Sequence, residues 1–279
     1  MSFGVIYIAT GQKYIEEACN SAASLKKNLP NISITGFFDE TIESVHFDKI
    51  VLIDQSNGKK NKVLYMSKSP YDYSLFIDTD TYICDDISEL FSLLDKFDIA
   101  VAHAPYRQVI QISGIPESFP EYNTGVILFK KSTQISSFFE NWKTLYEQQL
   151  QRETKFLNPF TQKVELLSRD QPSFREALYN SNLRVTTLTP EYNCRFIMPG
   201  YVDRTVKILH GRHPDLPLVA KTINAETKQR IYKIHSGSLE VILNQEKPRK
   251  WLASIHKLRR FIKKNFKSSK FTSATHNLF

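Results

Sequence analysis

The sequence predicts an α/β fold: a doubly wound, mostly parallel sheet with helices on both faces. Three observations carry that expectation. The first third of the chain alternates short β-branched apolar runs with segments of helical spacing. The 279 residues are 41% hydrophobic, enough for a sizeable core and too much for global disorder. No stretch reaches the roughly 18 consecutive apolar residues that a membrane-spanning helix needs.

The elements follow in order. A strand is expected over 4–9 and a helix over 14–29, where Ile15, Ala18, Ala22 and Leu25 share one face before Pro30. Strands are expected over 32–38 and 49–54, and a helix over 58–69 that stops near Pro70. A strand over 73–78, a helix over 86–94 and a strand over 98–103 continue the alternation. Residues 105–122 read as a loop of the length that binding loops and lids have. Beyond it come a strand over 125–130, a helix over 134–149 with Phe138, Trp142 and Leu145, a short helix over 171–180 and a late strand over 206–210.

Charge divides the chain into 1–246 and 247–279. Residues 247–270 hold ten Lys/Arg and no acid, which leaves 27 basic against 29 acidic residues in 1–246. A near-neutral body argues against a nucleic-acid groove spread over the fold. In the tail, Trp251, Ile255, Leu258, Ile262 and Phe266 follow helical spacing among basic residues. That is a basic amphipathic helix suited to an anionic membrane surface, or one packing its apolar stripe on the domain. Cys19, Cys84 and Cys194 are odd in number and far apart, so they form no zinc spacing or disulfide framework. With no leader in the first residues, a cytoplasmic protein is expected, peripheral on the inner membrane face if the tail binds lipid.

The run Phe76-Ile77-Asp78-Thr79-Asp80 is the centre of the functional reading. Side chains two apart on an extended strand point the same way, so Asp78 and Asp80 present two carboxylates together. They do so at the carboxyl end of a strand, where open α/β sheets bind ligands. Paired hard oxygen donors suit Mn²⁺ or Mg²⁺ carrying substrate phosphates. Three other readings stay open from the motif alone. The two residues could be helix caps. They could begin a calcium loop reaching Glu89, although Ile83 stands where such a loop needs Gly. Or Asp78 could be the nucleophile of a haloacid-dehalogenase-like phosphatase. A non-catalytic adaptor acting through its basic tail is a fourth reading.

Several further pieces stand in order along residues 3–212: Ala9-Thr10 then Tyr14; Lys62 upstream of Pro70-Tyr71-Asp72; Tyr122-Asn123-Thr124-Gly125; Asp170-Gln171; Tyr192-Asn193; and Ile208-Leu209-His210-Gly211. Taken alone, each has a plain structural use. Asn123 and Gly125 suit a turn, Asp170 an N-cap, Lys62 a solvated helix face, and Asp39 the end of a strand. Together with the Asp pair, the series resembles glycosyltransferase family eight, the glycogenin-like and lipopolysaccharide-galactosyltransferase-like enzymes, on the GT-A fold.

The resemblance implies a metal-dependent, retaining hexosyltransferase that takes a UDP-sugar and a glycan or glycolipid acceptor. It implies uridine contacts at Ala9, Thr10 and Tyr14, and a diphosphate contact at Lys62. Asp78, Thr79 and Asp80 would hold the metal and nucleotide, with His210 as third ligand. Asn123, Asp170 and Gln171 would orient the donor sugar. The chain departs from the pattern after His210. The family commonly continues with Gly and then Lys-Pro-Trp, whereas here the run is Gly211-Arg212-His213-Pro214. Arg212 and Lys221 are the candidates for the missing cation.

Overall fold

The computed structural model describes residues 1–55, 58, 60–106, 110–158, 163–235 and 238–243. Among them, seven strands form the main sheet. They are β1 (Phe3–Ala9), β2 (Ser33–Phe38), β3 (Lys49–Leu52), β4 (Tyr73–Ile77), β6 (Ile99–His103), β7 (Tyr122–Lys130) and β10 (Val185–Leu188). The spatial order is β10-β6-β7-β4-β1-β2-β3. The β1–β2, β1–β4, β2–β3 and β6–β10 pairs are parallel. Strand β7 runs antiparallel between β4 and β6, so the sheet is mixed. This is the doubly wound α/β arrangement the sequence predicts, with one reversed strand at its centre.

Both faces are covered, and the central strands β4 and β7 are buried at nearly every position rather than at alternate ones. Helix α1 (Gln12–Asn28) lays Ile15, Ala18, Ala22 and Leu25 on one face, against Val5, Leu75, Ile77 and Leu128. The other face packs Ile6, Phe76, Val101 and Ile127 against α3 (Thr133–Gln151) and α4 (Gln171–Tyr179) through Phe138, Trp142 and Phe174. Helix α2 (Lys60–Tyr65) contributes Val63 on the same side, and a 3₁₀ turn over Met66–Lys68 continues it.

The remaining elements are short. Strand β5 (Thr81–Ile83) pairs antiparallel with β12 (Ile208–His210). Strands β8 (Lys155–Leu157) and β9 (Val164–Leu166) form a ribbon. Strands β11 (Gly200–Val202), β13 (Arg230–His235) and β14 (Ser238–Leu243) form a small sheet. Its neighbour α5 (Leu216–Ile223) packs Val219 and Ile223 onto Cys194, Phe196 and Leu209.

Four expectations change. The helix expected over 86–94 is a 3₁₀ segment, Ser88–Asp95. The strand expected from 125 begins at Tyr122, which takes Asn123 and Gly125 out of a turn and into β7. The late strand shortens to Ile208–His210. Strand β5 lies directly after the Asp pair, where the sequence marked no element. Three-residue strands have no readable period; pairing alone stabilises them.

Residues Met1–Ile242 form one compact unit. The amphipathic helix expected in the tail lies outside the described residues. Among the described residues, no helix is long and apolar enough to cross a membrane. The three cysteines are free thiols, and burial pushes Cys84 and Cys194 up to about 12.

Candidate functional site

Asp78, Thr79 and Asp80 link the end of β4 to the start of β5. The Asp78 N–H donates to the Gly125 carbonyl at 2.7 Å, and the Gly211 N–H donates to the Asp80 carbonyl at 2.8 Å. The β5–β12 register places Thr81 opposite His210, so a residue 130 positions downstream of Asp80 is carried beside it. His210 Nε2 lies 3.4 Å from Asp80 Oδ1 and 3.6 Å from Asp78 Oδ2. One ligand atom from each of Asp78, Asp80 and His210 lies within 4.8 Å of the others.

Strand β7 makes this approach feasible. Its pairing with β6 jumps from Val101↔Ile127 to Ala102↔Asn123, so 124–126 bulge toward the site. A side chain at Gly125 would overlap the His210 ring and sit 2.9 Å from Asp78 Oδ2. Gly125 is therefore needed for a close approach, not for a turn.

The electrostatics suit a cation. Burial opposes ionisation of Asp80, but His210, Arg212 and Arg195 outweigh it and hold the carboxyl well below the usual range. Burial and Arg195 hold His210 below its ordinary value in spite of the two carboxylates. A neutral imidazole and ionised carboxylates are the forms that bind a metal. Two carboxylates with one imidazole are an acceptable donor set for Mn²⁺ or Mg²⁺.

Lys62 projects from α2 into the site rather than lying on a solvated face. Its ammonium is 3.2 Å from Asp78 Oδ1 and 3.1 Å from Asp170 Oδ2, and it donates to Thr124 Oγ1 at 3.0 Å. Burial alone would lower Lys62, but Asp170 and Asp78 outweigh it and raise it above its ordinary value. Asp170 precedes α4, yet its carboxylate makes no cap bond. It accepts from Thr124 at 2.9 Å, while its backbone carbonyl takes Trp142 Nε1–H at 3.2 Å. Gln171 is buried and accepts from the Tyr106 hydroxyl.

At the other edge, Arg212 forks onto Glu17 with two bonds of 2.8 Å and reaches Asp80 Oδ2 at 3.4 Å. Its guanidinium lies 5.7 Å from the Tyr14 ring centroid. Thr79 Oγ1 donates to the same Glu17 at 3.0 Å. Lys221 is exposed on α5, so of the two candidates for the missing cation Arg212 is the one at the Asp pair. Ala9 and Thr10 end β1, where Thr10 donates to the Gly58 carbonyl. Asp39 accepts from the Gly11 N–H with both oxygens, at 2.8 and 3.1 Å, which is a structural use.

Two of the open readings lose their basis. Asp86 takes the Ser88 N–H at the start of the 3₁₀ segment, at 2.7 Å, so the Asp pair is not its cap. Glu89, the end of the would-be calcium loop, instead accepts from the Tyr192 hydroxyl. The sequence reading missed Glu17, for which no signal existed beyond its position one helical turn from Tyr14. It gave Asn193 no role, although that residue belongs to the quoted Tyr192-Asn193 pair. Asn193 Oδ1 lies 2.8 Å from His210 Nδ1, and its amide donates to Asn123 Oδ1 at 2.8 Å.

No protein-family model and no curated protein matches the sequence. Solved structures do match. The glycosyltransferase GlyE of Streptococcus pneumoniae TIGR4 aligns with a TM-score of 0.52 and 16% identity, covering 76% of this chain and 55% of GlyE. Its apo form aligns at 0.53 and 16%, covering 77% and 55%. The galactosyltransferase LgtC, in complex with donor and acceptor sugar analogs, aligns at 0.48 and 12%, covering 76% and 87%. The chain thus spans about half the length of the GlyE structures. At this level of identity the likeness to GlyE is one of architecture, and the architecture of this chain is the GT-A glycosyltransferase fold.

Proposed function

We propose that this chain is a metal-dependent glycosyltransferase that moves a hexose-type sugar from a UDP-sugar to a hydroxyl of a glycan or glycolipid, with retention. One observation carries the reading: Asp78, Asp80 and His210 converge at the carboxyl end of the sheet in a GT-A fold. That GlyE is a glycosyltransferase supports the same class of reaction.

Asp78, Asp80 and His210 would hold Mn²⁺ or Mg²⁺, and the metal would offset charge on the departing diphosphate. Lys62 and Arg212 bring two further cations beside the pair. Tyr14 is 42% exposed, which leaves ring surface for a nucleotide base next to Ala9 and Thr10. Asn123, Asp170 and Gln171 line the side assigned to the donor sugar. Asp170 is engaged by Lys62 and Thr124, so its carboxylate is not free to approach an acceptor hydroxyl. That favours retention, in which the acceptor attacks on the leaving-group side and a diphosphate oxygen takes its proton.

The basic segment 247–270 is assigned, from its sequence alone, to an anionic membrane surface on the cytoplasmic side. The decisive experiment for the site is thermal stabilisation by UDP with and without Mn²⁺. Stabilisation only with metal, lost in Asp80→Ala, is the expected result. No response to UDP in either condition would sink the proposal.

A further inference from the structure

The interior of the site contains a short chain of hydrogen bonds whose direction is fixed from one end. The Gly125 backbone N–H can only donate, and it lies 3.1 Å from one side-chain oxygen, Asn123 Oδ1. That contact fixes the Asn123 amide with its oxygen toward Gly125. The same oxygen meets Asn193 at 2.8 Å, so Asn193 must present its NH₂ there. Its own Oδ1 is then left facing His210 Nδ1 at 2.8 Å. An amide oxygen only accepts, so Nδ1 must carry the proton. With that proton on Nδ1, Nε2 is the ring nitrogen left to meet a metal.

Nε2 is the nitrogen that faces Asp78 and Asp80. Asn123, Asn193 and His210 are all buried, at 4%, 5% and 2% exposure, so solvent offers little competition for these bonds.

We infer that Asn193 is a positioning residue, and that the Gly125–Asn123–Asn193 relay locks His210 in the one tautomer able to ligate a divalent cation. The inference rests on the metal reading of the site and adds the device that prepares it. Groups that orient a metal-bound imidazole through its other nitrogen typically account for about 10–100-fold in metal affinity. The register shift of β7 against β6 falls at these residues, between Ala102↔Asn123 and Val101↔Ile127.

The test uses the full chain and two readouts. With the site saturated by Mg²⁺, imidazole ¹⁵N shifts report which nitrogen of His210 keeps its proton. Wild type is expected to keep it on Nδ1, and Asn193→Ala to gain a population protonated at Nε2. Direct Mn²⁺ titration is expected to weaken about 10–100-fold in Asn193→Ala. Asn193→Asp keeps an acceptor for Nδ1–H but loses the donor to Asn123 Oδ1, so it should recover part of the affinity lost in Asn193→Ala; a residue that merely fills space would not be rescued this way. Asn123→Leu should weaken Mn²⁺ although it touches no ligand atom, because Asn193 is then free to flip. If Nε2 keeps the proton in Mg²⁺-loaded wild type, or if Asn193→Ala binds Mn²⁺ as wild type does, the relay is overturned and the metal site stands. If wild type binds no Mn²⁺, the metal site is overturned, and the relay's purpose with it.

Discussion

Strand β4 and the three residues beyond it are one continuous stretch of chain held by opposite means. Tyr73–Ile77 is buried at every position and hydrogen-bonded on both edges, to β1 and to β7. Leu75 and Ile77 join one core cluster and Phe76 the other, so the strand is fixed by apolar contact on both faces. Asp78 and Asp80 lie past that pairing. They are held by Lys62, Gly125, His210, Gly211 and Arg212, which come from three other places in the sequence. The shaft is therefore placed by nearest neighbours in the sheet, and the tip by distant polar partners. Damage to the shaft should cost stability, and damage to the tip should cost chemistry.

The largest effect expected from this contrast is at the tip. Asp80→Ala should lower sugar transfer by about 10³-fold, the scale on which an electrostatic transition-state contact acts. Its thermal midpoint without ligand should fall only modestly, since ion pairs to His210 and Arg212 are lost but no core side chain is. A large fall in the midpoint would mean that the tip is part of the scaffold.

Phe76→Ala, two residues upstream of the motif, should do the reverse and cost about 3–5 kcal/mol in urea unfolding. At low temperature the folded fraction should still respond to UDP with Mn²⁺. The Lys62 ammonium lies 5.1 Å from the Phe76 ring centroid, so a lost UDP response would show that shaft and tip are coupled through Lys62.

Asp98 sharpens the comparison as a polar group that belongs to the scaffold. It accepts from the Arg184 guanidinium and backbone and pairs with Lys130 at 2.9 Å. The Arg184 bonds, ahead of Lys130, hold its carboxyl well below the usual range despite its burial. A depressed native value means that the stabilisation is present above the unfolded value of about 4 and is lost as pH falls below it. Asp98→Asn should therefore cost about 1.5–3 kcal/mol at neutral pH. The gap from wild type should close on acidification, read by urea unfolding across pH, while transfer activity per folded molecule stays unchanged.

The smallest effect expected is at the departure from the family pattern. Arg212→Ala should weaken metal-dependent UDP binding about tenfold, which is about 1.4 kcal/mol, while Lys221→Ala should leave it unchanged. Equal effects from the two would mean that Arg212 serves Glu17 and not the diphosphate.

Much of the scaffold was legible from sequence because its signals are local. The first helix, the four parallel strands of the N-terminal half and the α3 helix each show their own period or apolar run. The site was legible in its residue types, since a carboxylate pair two apart on a strand end is itself a local pattern. Its assembly was not. Nothing local in Thr81–Ile83 marks a strand, and without β5 there is no partner for β12 to carry His210 to the pair. Glu17 gives no sign that it will anchor Arg212, because 195 residues separate them. Asn123 and Gly125 read as turn formers for the same reason: a bulge is defined by what the neighbouring strand does.

The sequence by itself therefore determined the α/β class, the order of the core elements and the presence of two carboxylates at a strand's carboxyl end. These depend on periodicity and side-chain type over a few residues. Only the tertiary structure decided that Lys62 bridges Asp78 and Asp170, that Arg212 and not Lys221 stands at the pair, and that Asn193 faces the third ligand. Those facts depend on hydrogen bonds and ion pairs between segments far apart in the chain. A contact of that kind leaves no period behind, because its geometry is supplied by the packing of everything between the two partners.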